Sequence, residues 1–408
     1  MNYFNNFKGL GRQVYILCLV RILCATGCIA SFMTTLHYTN VLGLSSAVTG
    51  VLISCNYAAS VLGTIVGGKA ADRFSRKNTA IALILITGVC LLFSAATCRT
   101  VYCIPPLTIA FAGGYAAFPV LSAMIADCCV KGKSQESFSL MYLGQNIGFA
   151  VGPSLGGFMF YDYFVAMFVV GAVFYIAAAI LIAVYGEDNY DRAGLAMHKD
   201  SSVTTSGREG TLALLVKIKP LLVFVIAMVA ISFIYNLLNF LLGLHLADLF
   251  GLEYGSKYSG YVWGYNGMTV LFLTSLILNF TRKHHQFYNM TIACVFYAAG
   301  FVIYAFTKNH WMFYVGAIIW TIGEIMINTG SAAFIAANSP KTHVARFQST
   351  QETATALGKT LGPIFYGAVL PYVSYRAFWL FGVAVWLTIS AFMLVSYRTL
   401  IVKGNPNE

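Results

Sequence analysis

The sequence predicts an all-α membrane protein of twelve transmembrane helices, arranged as two similar six-helix bundles with both termini in the cytoplasm. Composition comes first: 59% of the 408 residues are hydrophobic and 10% are charged, too little polarity to clothe a water-soluble surface. Next, apolar runs of the roughly 20 residues that cross a bilayer centre near Cys24, Tyr57, Val89, Gly113, Phe149, Phe174, Tyr235, Met268, Phe296, Glu324, Lys359 and Val385. The third observation is a repeat. Gly148-Phe-Ala-Val-Gly152-Pro153-Ser-Leu-Gly156-Gly157 is echoed 210 residues later by Gly358-Lys-Thr-Leu-Gly362-Pro363-Ile-Phe-Tyr-Gly367. Small residues four apart make a smooth face on which another helix can pack closely, and proline bends the helix that carries them.

These observations set the domains: residues 1–186 as the first bundle, 187–216 as a cytoplasmic linker containing the polar stretch Glu187 to Gly210, and 217–408 as the second bundle. Orientation follows from Lys and Arg. Nineteen fall in loops on the side of the termini, against Arg99, Lys257, Lys308 and Arg376 opposite, and cytoplasmic loops carry such an excess. The net charge of +11 is therefore spread by topology, and no nucleic-acid partner is expected. The first apolar run is long and lacks a small-residue cleavage site, so it reads as a helix and not a cleaved signal. Most of the ten cysteines lie in apolar runs and read as packing residues. Cys98 and Cys103 flank an external loop and either pair or stay free. Cys128-Cys129 has no partner at metal-ligand spacing, so no metal or other cofactor is expected.

Taken in order, the first run holds Arg21, at a depth where a charge faces the bundle interior or a wet cavity and has a partner, structural or functional. The second run ends in Gly68-Lys-Ala-Ala-Asp72-Arg73-Phe-Ser75-Arg76-Lys77. Glycine there lets the helix end approach a neighbour, the carboxylate can accept from a helix N-terminus and the arginines can pair with acids, so the cluster can latch one cytoplasmic face.

This loop, followed by the Gly148 to Gly157 run, resembles the major facilitator superfamily, and within it the twelve-helix drug/proton antiporter branch, whose fifth helix carries such a glycine-proline run. The resemblance covers the whole chain. It implies two six-helix domains that expose a central site to each side in turn, and it assigns Gly68, Asp72, Arg73, Arg76 and Lys77 to a gate at the inner face. Three departures stand beside it: Ser75 replaces a glycine, Leu107 to Ala117 lacks the arginine common in that stretch, and Thr281-Arg-Lys-His-His285 has lost the loop pattern in the second half. Asp127 resembles an acid of several relatives and can pair with Arg73 or Arg76, or with Lys131 one turn on.

Deep charges mark the second half. Glu324, in Trp320-Thr-Ile-Gly-Glu324, and Lys359, in the second glycine face, join Arg21 as the Asp, Glu, Lys or Arg residues placed near the midplane. Burial favours a carboxyl's neutral form and a nearby cation its charged form. Glu324 is thus either a proton carrier or the acid of a permanent pair with Lys359. Tyr235, Asn236, Asn239, Tyr265, Asn266, Gln145 and Asn146 can complete a polar cavity or bond across helices.

ATP is not the expected driver, because Gly132-Lys-Ser134 and Gly358-Lys-Thr360 lack the upstream glycine of a phosphate loop. Catalysis is not expected either. Gly152-Pro-Ser154-Leu-Gly156 matches a nucleophile pattern, but none of the seven histidines lies mid-run to act as base. The expectation is a proton-coupled secondary transporter, with a small molecule, protons and the lipid bilayer as partners, monomeric, in a bacterial inner membrane. It exports small amphipathic compounds, or carries an anionic or zwitterionic metabolite, peptide-like compound or lipid, since two deep cations face one deep acid. The alternative of another class is a receptor on the same fold that does not transport.

Overall fold

The computed structural model describes residues 7–130, 132–187, 215, 217–339 and 344–402. Lys131, Lys341, Lys403, His198, His343 and nearly all of the 187–216 linker lie outside these residues.

Among the described residues the protein is helical throughout. The helices are α1 (Arg12–Gly27), α2 (Ser46–Arg73), α3 (Arg76–Thr97), α4 (Ile104–Cys128), α5 (Ser134–Asp162), α6 (Phe164–Tyr185), α7 (Lys219–Thr281), α8 (Gln286–Phe306), α9 (His310–Asn338), α10 (Val344–Val369) and α11 (Tyr375–Tyr397). Polar residues between apolar runs start several of them. Ser75 caps α3 by accepting from Asn78 N (3.1 Å), and Asn309 and Ser374 do the same for α9 and α11. The serine that departs from the family pattern is thus a working N-cap. Beyond α1 the chain continues through a 3₁₀ stretch, Cys28–Met33, to a wide turn at His37–Val41.

Nine helices among the described residues are long and apolar enough to cross a membrane. This differs from the twelve apolar runs in two ways. The runs centred near Tyr235 and Met268 form one 63-residue helix, α7, broken only at Gly251, where φ is +78°. The glycine-proline helices α5 and α10 are too rich in small and polar residues to count by hydropathy. Lys257 consequently lies inside α7 and not in a loop, paired with Glu253 one turn earlier at 2.8 Å.

The chain divides into two compact units, Met1–His37 with Cys55–Ser206, and Tyr38–Ser54 with Gly207–Glu408. In the first unit α5 lies along α1. A methyl at Gly148 would stand 2.5 Å from Ala25 Cβ and 2.7 Å from Ile22 O, and one at Gly152 would stand 2.7 Å from Thr26 O. Gly156 meets Ile29 in the same way, while Pro153 and Gly157 are buried within α5. In the second unit α10 lies against the first arm of α7: Gly358 meets Phe233 N at 2.7 Å and Gly362 meets Phe233 O at 3.2 Å. Gly367 and Pro363 meet Ser46 and Gly50 at the start of α2, where Ser46 Oγ donates to Gly367 O (2.9 Å). The repeated glycine face therefore does one job twice, letting backbones approach within each unit.

Aromatic rings fill the second unit. Trp320, Trp379 and Trp386 are fully buried, Tyr297 stacks on Trp386 at 4.1 Å, and Trp320 Nε1 donates to Tyr304 Oη (3.0 Å).

Candidate functional site

Glu324 is the centre of a polar cluster in the second unit. Its α9 carboxylate accepts from Tyr235 Oη (3.1 Å) on one oxygen and from Asn266 Nδ2 (2.6 Å) on the other. Both donors come from α7: Tyr235 stands 16 residues before Gly251 and Asn266 15 after it, so the two arms fold back and present them at one depth. Asn266 also donates to Thr321 Oγ1 (2.9 Å), one turn from Glu324. Two neutral donors hold this half-buried acid, and among the described residues no cation forms an ion pair with it.

Lys359 is near enough to act on Glu324 through space, but among the described residues no ion pair joins them and Lys359 Nζ makes no hydrogen bond. Lys359 is fixed through its backbone, where Asn236 Nδ2 donates to its carbonyl (2.8 Å), while Glu352, two turns earlier in α10, adds a second acid to its surroundings. Asn239 lies half-buried on the same arm of α7. Tyr265 is exposed and stacks on Tyr314 at 4.8 Å. Sequence reasoning missed Thr321 and Glu352. Their spacing from Glu324 and Lys359, three and seven residues, puts each on the same helix face and could have found them.

In the first unit Arg21 is buried. Nη2 donates to Gln145 Oε1 (2.5 Å), and the guanidinium lies 3.7 Å from the centre of the Phe118 ring. Gln145 reaches it because the glycine face draws α5 onto α1. Asn146 turns inward on its own helix, donating to Tyr142 O (2.8 Å).

The residues expected to form a gate lie at one end of this unit. Arg76 pairs with Asp127 and also donates to Ala123 O (3.2 Å), while Lys131, the other partner expected one turn on, lies outside the described residues. Lys77 Nζ donates to Gly186 O (2.8 Å) at the end of α6, satisfying a carbonyl the helix leaves open. Gln13 lies at the same end, donating to Tyr185 O (2.9 Å) and accepting from Glu187 N (3.2 Å). Asp72 and Arg73 are exposed, Arg73 lying over the Phe74 ring at 5.6 Å. Gly68 does not serve close packing: among the described residues nothing stands within 4 Å of a methyl placed there. At the opposite end Cys98 and Cys103 are free thiols, and His37 Nε2 lies 2.6 Å from Cys98 O and 3.8 Å from Cys103 Sγ.

The profile of the Major Facilitator Superfamily matches residues 16–329 and 289–407. The chain belongs to this superfamily. It is an integral, multi-pass membrane protein of a transporter family. Among characterised facilitators, a Na(+), Li(+), K(+)/H(+) antiporter of Planococcus maritimus is 23% identical over 339 residues, covering 77% of this chain and 80% of its own. YttB, an uncharacterised MFS-type transporter of Bacillus subtilis (strain 168), is 25% identical over 371 residues, covering 90% of both chains. Among solved structures the nucleoside transporter NupG superposes with a TM-score of 0.77 at 14% identity, covering 95% of this chain and all of its own. A POT family transporter in complex with a thioalcohol-conjugated peptide gives 0.77 at 14%, covering 96% and 97%. Such identities speak to the fold alone.

Proposed function

We propose that this facilitator is a proton-coupled secondary active transporter working by alternating access, with twelve membrane crossings, the two arms of α7 counting separately and α5 and α10 included. The observation that carries the reading is the Glu324 cluster. A carboxylate held by a phenol and an amide can take up a proton without losing a contacting cation, whereas a salt-bridged acid would leave its partner charge unpaired. Substrate or bulk solvent reaching Tyr235, Asn266 or Lys359 changes the balance between the two forms, which is the requirement for coupling.

Other parts of the reading follow from the family and the site. Arg76, Lys77 and Asp127, with Gly68, Asp72 and Arg73 beside them, form the cytoplasmic gate. Asn236, Asn239, Tyr265, Gln145, Asn146 and Arg21 contribute to substrate binding. The monomer works in a bacterial inner membrane with both termini inside, and exports small amphipathic compounds. A second reading, exchange of a monovalent metal cation for protons, is supported by the Planococcus relative's activity together with a carboxylate already held by neutral oxygen and nitrogen groups.

Reconstituted into vesicles with an imposed pH gradient, the wild-type protein should drive uphill movement of a probe drawn from ethidium, an aromatic carboxylate and Na⁺. Glu324→Gln should retain downhill exchange and lose gradient-driven accumulation at least tenfold. Uphill transport by Glu324→Gln at the wild-type rate refutes the coupling role, and a strict response to Na⁺ selects the second reading.

A further inference from the structure

We propose that Arg21 is the anchor of an anion site within the first unit, one that takes the carboxylate of an amphipathic organic acid. Arg21 is only 8% exposed, and two of its three guanidinium nitrogens, Nε and Nη1, are sealed from solvent with no acceptor among the described residues. Among the described residues its one hydrogen bond goes to the neutral amide oxygen of Gln145. A guanidinium stays charged in protein surroundings, and a buried charge without counter-charge is among the costliest arrangements a fold can hold. Orphaned buried donors of this kind call for an ion or ligand.

The described helices of the first unit offer no acid at that depth, and no Asp or Glu is among the groups that act on Arg21. Every Asp or Glu of this unit's sequence lies at a helix end or in the linker: Asp72, Asp127, Glu136, Asp162 and Glu187, with the remaining acids beyond 187. The counter-charge must therefore come from outside the unit's helices. Phe118 covers one face of the guanidinium, fixing its plane so that the free N–H groups point along the edges, and a planar carboxylate matches that fork better than a spherical halide. Cys24, Cys28 and Tyr175 are the groups that act on it through space, neutral thiols and a phenol that supply no counter-charge. Gln145 keeps the guanidinium in register with one bond and leaves the other two nitrogens for the ligand.

This names the substrate class of the transport reading and rests on that reading for its purpose, but the test reads binding alone. Purified full-length protein in detergent is titrated by calorimetry with benzoate, and with chloride as the comparison. Saturable benzoate binding is expected, weakened at least tenfold by Arg21→Met and several-fold by Gln145→Ala. Lys257→Ala, which removes a cation from the other unit, should leave it unchanged. Should Arg21→Met fail to fold, Arg21→Lys keeps a charge but loses the planar fork, and at least tenfold weakening is still expected. Unaltered affinity in the Arg21 variants, absence of saturable binding in the wild type, or chloride binding as tight as benzoate each overturn the proposal. None of these outcomes touches proton coupling through Glu324, so the two readings fail separately.

Discussion

Gly148→Ala and Gly68→Ala make the same chemical change on two helices and should move stability in opposite directions. At Gly148 the added methyl would meet Ala25 Cβ at 2.5 Å, Ile22 O at 2.7 Å and Thr26 N at 2.9 Å. Carbon contacts relax at about 3.5–4.0 Å, so α5 must retreat from α1 by about 1 Å. The opposing atoms are backbone and a methyl on Cα, which cannot rotate aside. Overpacking of this kind costs about 1–3 kcal/mol. At Gly68 nothing lies within 4 Å, and alanine should gain up to about 1 kcal/mol from helix propensity. The propensity gain is common to both variants, so the difference between them isolates the packing term at about 1–3 kcal/mol. Thermal denaturation in one detergent, followed by the monodisperse fraction surviving each temperature, should place G148A below the wild type and G68A at or above it. Equal midpoints for the two variants would mean that α5 does not depend on a glycine face to reach α1, and the account of how Gln145 comes to Arg21 would fall with it.

Two further substitutions test the end of the first unit where the gate is proposed. Ser75→Ala removes the acceptor for Asn78 N and should destabilise α3 by about 1 kcal/mol, while Ser75→Gly costs only a few tenths, a ranking that hydrogen exchange of the first α3 amides resolves. Arg76 and Asp127 are partly buried, at 20% and 28% side-chain exposure, so a double-mutant cycle with R76Q and D127N should return a coupling of about 1–3 kcal/mol that falls as salt is raised. A coupling near zero would leave Arg76 with Ala123 O as its only structural role.

What could be read from the residues alone was the part set by local spacing. Glycines at every fourth position announce a close helix contact wherever they occur, and both faces find one. The length of the apolar runs around Arg21, Glu324 and Lys359 marked them as charges inside helices, which is where the structure has them. What could not be read was who meets whom. Gln145 and Arg21 are 124 residues apart, and no local pattern ties an amide on one helix to a guanidinium on another. Charge matching suggested Lys359 for Glu324, but in a packed interior the neutral donors Tyr235 and Asn266 reach the carboxylate, because helix register and not net charge decides which atoms come within 3 Å. Lys257 was misplaced for a related reason: a charged residue between two apolar runs looks like loop, yet an acid one turn earlier lets the helix continue through it. Gly68 carried the opposite lesson, since a residue inside a motif was assumed to serve packing where the surroundings are open.

The turn at Gly251 has a consequence for how this protein can diverge. Because a single residue in a left-handed conformation joins the two arms of α7, no slack exists to absorb a change in length. One residue inserted between Asn236 and Gly251, or between Gly251 and Asn266, rotates the donor beyond it by about 100° and displaces it by about 1.5 Å. Either Tyr235 or Asn266 would then point away from Glu324 while hydropathy stayed the same. Relatives that keep the acid should therefore keep the count between these donors, and those that alter the count should have moved or abandoned the acid.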